Sequence, residues 1–80
     1  MLKVIGSTQC PDTSEALQKL DLKNIKYEFI DIFDSLENLK TYLKVRDTQN
    51  CYDVVRKNHG IGIPCFITED KTTLEITEIL

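Results

Sequence analysis

Apolar positions change their period along the chain, and those changes mark its elements. Leu2, Val4 and Ile5 read as a short, mostly buried strand, with Lys3 at its edge or start. Ser14 to Leu20 carries Ala16, Leu17 and Leu20 at helical spacing, with Asp12 and Glu15 early, where acids suit the helix dipole. Asp21 to Asn24 has no period and predicts a turn. Ile25 to Phe29 alternates strictly, Ile30 and Ile32 follow, and the run predicts a second strand. Asp34 or Ser35 then caps a helix whose apolar stripe is Leu36, Leu39 and Leu43, with Tyr42 beside it. The polar run Arg46 to Asn50 should break that helix.

Gln49 to Asn58 reads as another short helix, with Val54 and Val55 turned inward, and His59-Gly60 as its stop, Gly60 taking positive φ. Phe66 and Ile67 want a buried strand, which Pro64 can only open or border at its edge. Glu69-Asp70-Lys71 is a polar turn, and Thr72 to Ile76 predicts an antiparallel return strand. Thr77 to Leu80 predicts one helical turn packing Ile79 and Leu80. A parallel strand–helix–strand unit followed by a terminal hairpin is an α/β layer arrangement. Its 80 residues form one domain, 1–80.

The chemistry concentrates between the first strand and the first helix, in Gly6-Ser7-Thr8-Gln9-Cys10-Pro11-Asp12-Thr13. Pro11 suits the first helical turn, because its fixed φ matches a helix and its missing N–H would be unpaired there. Cys10 therefore sits at a helix N-terminus, where free N–H groups and the positive dipole end favour a thiolate. It also falls at the carboxyl end of a strand, where open α/β sheets place ligands. The local reading is a reactive cysteine.

Charge and cysteine usage narrow the alternatives. A net charge of −3 argues against nucleic acid and mildly against anionic membrane surfaces. No stretch is long or apolar enough to span a bilayer, and the N-terminal residues lack a secretory pattern, so a cytoplasmic protein is expected. Three cysteines at irregular spacing make a poor disulfide framework. Cys10, Cys51 and Cys65 form no Cys-x-x-Cys pair and His59 is the only histidine, so no metal site is expected.

Two motifs together resemble the glutaredoxin family of the thioredoxin-like fold, along nearly the whole chain. Cys10-Pro11-Asp12-Thr13 is similar to the family's Cys-Pro-x-Cys and its one-cysteine versions. Gly62-Ile63-Pro64 before Phe66 is similar to its Val-Pro with a cis peptide. The resemblance implies a four-stranded mixed sheet flanked by helices. It implies that Cys10 attacks a mixed disulfide and becomes glutathionylated, with glutathione as co-substrate and glutathionylated or disulfide-bearing molecules as partners. Pro64 would be cis and face Cys10. The Ile63 backbone would pair with the cysteinyl part of glutathione as an added strand. Thr77 and Glu78 would form the γ-glutamyl-binding turn, and Thr8, Gln9, Pro11, Asp12 and Thr13 would border the substrate. A monomer is expected, with a weak dimer as the alternative.

This chain also departs from the family's pattern. Thr13 replaces the second cysteine, which favours a monothiol cycle in which a second glutathione frees Cys10. Ser7 and Gly60-Ile61 stand where the family carries groups for the glutathione carboxylates, and Lys57 or Arg46 are candidate replacements. Leu74-Glu75 replaces a Gly-Gly, and Asp12 puts a negative charge beside Cys10. Cys65 and Cys51 are candidate resolving cysteines or inert core residues. His59 is a candidate base or a helix-end cation. Thr13 either hydrogen-bonds the sulfur or uses its hydroxyl locally. Two further readings stay open: a module of the same fold that bridges a [2Fe–2S] cluster or docks a partner, and a reductase fed by another thiol.

Overall fold

A computed structural model describes all 80 residues. Four strands form one sheet: β1 (Leu2–Gly6), β2 (Tyr27–Asp31), β3 (Cys65–Ile67) and β4 (Thr72–Thr73). Three helices accompany them: α1 (Pro11–Leu22), α2 (Leu36–Thr48) and α3 (Asp53–Lys57), with 3₁₀ turns at Asn50–Tyr52 and Ile76–Glu78. The sheet order is β2-β1-β3-β4. β1 runs parallel to β2 and antiparallel to β3, and β4 is antiparallel to β3. This is a thioredoxin-like α/β fold. No helix is long and apolar enough to cross a membrane.

Strand alternation sorts the core onto the two faces of the sheet. Val4 lies between Phe29 and Phe66 in the register, and these pack with Ala16 and Leu20 of α1. The next residue, Ile5, lies between Ile30 and Cys65, and these pack with Tyr42 of α2 and with Tyr52. The sheet is thus covered on both sides, which suits a central strand as apolar as β1. Because Gly6 ends that strand, Cys10 follows within one short turn.

Local signals place the helix ends. The Ser35 hydroxyl accepts the Asn38 N–H at 3.0 Å and caps α2. α1 runs on through Leu22, and the turn expected over Asp21 to Asn24 contracts to its last two residues, with Asn24 at φ 57°. α3 closes the same way, one residue earlier than the sequence suggests. His59, not Gly60, takes the left-handed position (φ 57°), and Gly60 N–H reaches back to the Val55 carbonyl at 2.9 Å.

Three expectations about packing need correction. The residues of α2 that pack on the sheet are Leu39, Tyr42 and Val45, while Arg46 reaches the Gly60 carbonyl, so Leu36 and Leu43 are exposed and the helix continues through the polar run to Thr48. Val54 is exposed, because the 3₁₀ turn before α3 sets Tyr52 inward in its place, while Val55 packs on the core as expected. The return strand stops at Thr73. There the Thr73 hydroxyl accepts the Glu75 N–H at 3.1 Å and donates to Glu78 at 2.8 Å, turning the chain away from the sheet. Of the last two residues, Ile79 packs below α1 while Leu80 is exposed.

Candidate functional site

The segment from Gly6 to Thr13 is stitched by its own hydrogen bonds. Cys10 N–H donates to the Ser7 carbonyl at 3.0 Å, and Gln9 N–H to the Ser7 hydroxyl at 3.1 Å. Ser7 N–H donates to the Thr13 hydroxyl at 3.4 Å, and the Ser14 hydroxyl to the Thr8 carbonyl at 3.4 Å. Cys10 is the N-cap of α1, with extended backbone, and Pro11 is the first helical residue. The Cys10 thiol caps nothing, and the Asp12 and Thr13 N–H groups have no partner in the protein. The thiol is half-buried, while Thr8, Gln9, Pro11 and Asp12 are exposed.

Thr13 is enclosed completely. Its side chain lies under Gly6, so close that a Cβ on Gly6 would meet Thr13 Cγ2 at 2.6 Å. Thr13 therefore holds the turn and offers no surface to a substrate. Ser7, with 2% exposure, is equally enclosed, and its hydroxyl serves Gln9.

Opposite this turn, the Ile63-Pro64 peptide is cis. The segment before it is fixed by three side chains on three successive carbonyls. Arg46 donates to Gly60 from Nε at 3.2 Å and Nη2 at 2.9 Å. The Tyr42 hydroxyl donates to Ile61, and the Tyr52 hydroxyl to Gly62 at 2.6 Å. Arg56 in turn donates to the Arg46 carbonyl. Gly62 is required here, since φ is +71° and a Cβ would sit 2.9 Å from the Tyr52 ring. Ile63 alone keeps both N–H and C=O without a partner in the protein.

Two clefts flank this meeting point. One, about 170 Å³, is lined by Cys10, Gln9, Ile32, Phe33, Ile61 and Ile63 over buried Ser7, and it contains no charged side chain. The other, about 240 Å³, has Pro64, Phe66 and Ala16 in its lining, with Asp12, Glu15, Lys19 and Glu75 around them. Lys19 is paired there with Glu15 at 3.2 Å. So Ile63, rather than Pro64, shares a cleft with Cys10, and Pro64 shares one with Asp12.

Several residues expected at the site lie elsewhere. Thr77 and Glu78 border neither cleft, and residues 74–76 reach the Pro64 side in their place. Glu78 is occupied by Thr73 and by Lys71 at 3.4 Å, and these contacts hold its carboxyl below the usual range, Thr73 contributing most. Arg46 is committed to Gly60, and Lys57 borders neither cleft, so neither supplies a cation beside Cys10. His59 is exposed in its helix-closing turn. Cys65 is fully buried in β3, and burial pushes its thiol up to about 11. Burial also raises Cys51. Both therefore belong to the packed side of the sheet. No three His, Cys, Asp or Glu side chains converge to hold a metal ion.

The chain is 34% identical over 58 residues to an uncharacterized protein of Haemophilus influenzae, across 72% of this chain and 67% of that protein. It belongs to that protein's family. No family model matches the chain, and no solved structure matches it.

Sequence reasoning did not assign Tyr42, Tyr52 and Arg46 to the loop before Pro64. Their targets are carbonyls 10 to 19 residues away, which local periodicity cannot reveal. The one available signal was compositional: Tyr and Arg each pair an apolar body with a terminal donor, as a buried strut requires.

Proposed function

We propose that this protein is a glutaredoxin-like thiol–disulfide oxidoreductase that works through Cys10 alone, with glutathione as co-substrate. The observation that carries the reading is a half-buried cysteine at the N-cap of α1, opening on a cleft beside the unpaired backbone of Ile63. Such an edge suits an extended thiol peptide. Helix N–H groups without partners suit a sulfur anion.

The cycle balances with one protein thiol. Cys10 Sγ attacks the glutathione sulfur of a mixed disulfide. The old S–S bond breaks, the substrate leaves as a thiolate and takes a proton, and Cys10 carries glutathione. A second glutathione thiolate attacks that glutathione sulfur, frees Cys10 and leaves as glutathione disulfide. The substrate is reduced by two electrons and glutathione is oxidised. Thr13 cannot close a local disulfide, and Cys65 is enclosed, so neither competes for the intermediate.

The test is intact mass after exposure to glutathione disulfide, followed by a deglutathionylation assay. One glutathione on the wild-type chain, none on Cys10→Ser, and loss of turnover in Cys10→Ser are expected. Turnover that survives Cys10→Ser defeats the reading.

A further inference from the structure

The cleft beside Cys10 is unusual in what it exposes. Phe33 is 66% exposed and Ile61 57%, and both line it. Neither position is loose. Phe33 N–H donates to Asp31 Oδ1 at 3.0 Å, and the Ile61 carbonyl is held by Tyr42. Two large apolar side chains on tethered backbone thus face solvent in the lining of the cleft that holds a half-buried cysteine.

Polarity divides the surroundings. The Cys10 cleft has no charge, and the neighbouring cleft carries Asp12, Glu15 and Glu75 with Lys19 already paired. An anionic peptide such as glutathione, with two carboxylates, finds no cation beside the thiol. A chain with an uncharged apolar residue finds a complementary wall. Ile63, whose N–H and C=O have no partner in the protein, lines the same cleft, and such groups suit main-chain pairing with an extended segment.

We infer that the Phe33–Ile61 cleft receives an apolar side chain next to the cysteine of an extended polypeptide disulfide, making this chain selective for such polypeptides over small anionic thiols. The inference rests on Cys10 as the exchange thiol. For such a substrate Cys10 Sγ bonds to the polypeptide sulfur, the polypeptide's S–S bond breaks, and the thiol formerly joined to it leaves as the thiolate. A glutathione thiolate then attacks Cys10 Sγ, the polypeptide leaves as its thiolate, and a second glutathione frees Cys10 as in the cycle above. One apolar contact of this kind discriminates by about tenfold or more.

The probes are short synthetic peptides and glutathione, each joined through its cysteine to thionitrobenzoate, whose release is read by colour. The peptides place Leu, Lys or Glu on both sides of the cysteine. Each rate is divided by its rate with free mercaptoethanol, which removes intrinsic reactivity. The Leu peptide is expected to react about tenfold faster than the Glu peptide and than the glutathione probe. Phe33→Ser and Ile61→Ser should each bring those ratios toward one. Equal normalised rates, or a faster glutathione probe, with release still dependent on Cys10, overturn this inference and leave the exchange chemistry standing. Release that is unchanged in Cys10→Ser overturns both.

Discussion

The Arg46 guanidinium places two N–H groups on the carbonyl oxygen of Gly60, at 3.2 and 2.9 Å. A rigid fork on one loop carbonyl ties α2 to the segment that presents Ile63. Arg46→Met keeps the apolar stem and removes both donors. A hydrogen bond to a charged group contributes about 1.5 to 3 kcal/mol, so a loss of that order is expected in urea unfolding. Arg46→Lys should recover only part of it, since an ammonium lacks the planar fork. Weaker glutathione adduct formation at unchanged stability would make Arg46 a ligand cation instead of a strut.

The two tyrosines continue the same attachment. Tyr42 and Tyr52 meet edge to face, with ring centroids 6.4 Å apart, and donate to the Ile61 and Gly62 carbonyls. Tyr42→Phe and Tyr52→Phe each remove one hydroxyl and keep the ring. Each should cost about 1 kcal/mol. Because adjacent carbonyls share one loop, the double variant should depart from the sum by about 0.5 kcal/mol or more. Additive losses would mean that the carbonyls are held independently.

Gly6 and Thr13 are the tight contact beneath Cys10. A Cβ on Gly6 would lie 2.6 Å from Thr13 Cγ2 and 2.7 Å from Thr13 Oγ1. Thr13 is fully buried and has no room to retreat. Gly6→Ala should therefore cost about 1 to 3 kcal/mol by overpacking. Thr13→Ala alone should also destabilise, by leaving Ser7 N–H without its acceptor. The pair Gly6→Ala/Thr13→Ala should be more stable than the sum of the single losses, since one change makes space for the other. The check is a double-mutant cycle in thermal unfolding.

What the sequence made legible was the local part. The alternation of Ile25 to Ile32, the helical spacing of Ala16, Leu17 and Leu20, and the Ser35 cap all concern neighbours in the chain. Together they put Cys10 at the N-cap of α1 and gave the α/β order. What stayed hidden depends on distant partners. Leu36, Leu39 and Leu43 make a good stripe on paper, yet α2 is rotated to bring Tyr42 and Arg46 onto carbonyls beyond α3. Thr13 reads as a residue at the substrate, but a glycine at the end of β1 draws it inside. Glu78 reads as a ligand contact, but Thr73 and Lys71 occupy it.

Cys65 gives the chain a particular alkaline weakness. It is fully enclosed between Ile5 and the tyrosines, and burial pushes its thiol up to about 11, the adjacent Tyr52 hydroxyl pulling the other way. In the unfolded chain a cysteine ionises near about 8.5. The folded state therefore holds a proton that the unfolded state gives up, so the stabilisation is complete below about pH 8.5 and is lost as pH rises through about 11. The slope approaches about 1.4 kcal/mol per pH unit while one proton differs. Burial also raises the Tyr42 and Tyr52 hydroxyls, which act in the same direction. Cys65→Ala loses packing and should be less stable than wild type at pH 7.5, by roughly 1 kcal/mol. It has no thiol to ionise, so the gap should narrow between pH 9 and 11. Urea midpoints of both proteins across that range decide it. Parallel declines would mean that the alkaline loss comes from the tyrosines alone.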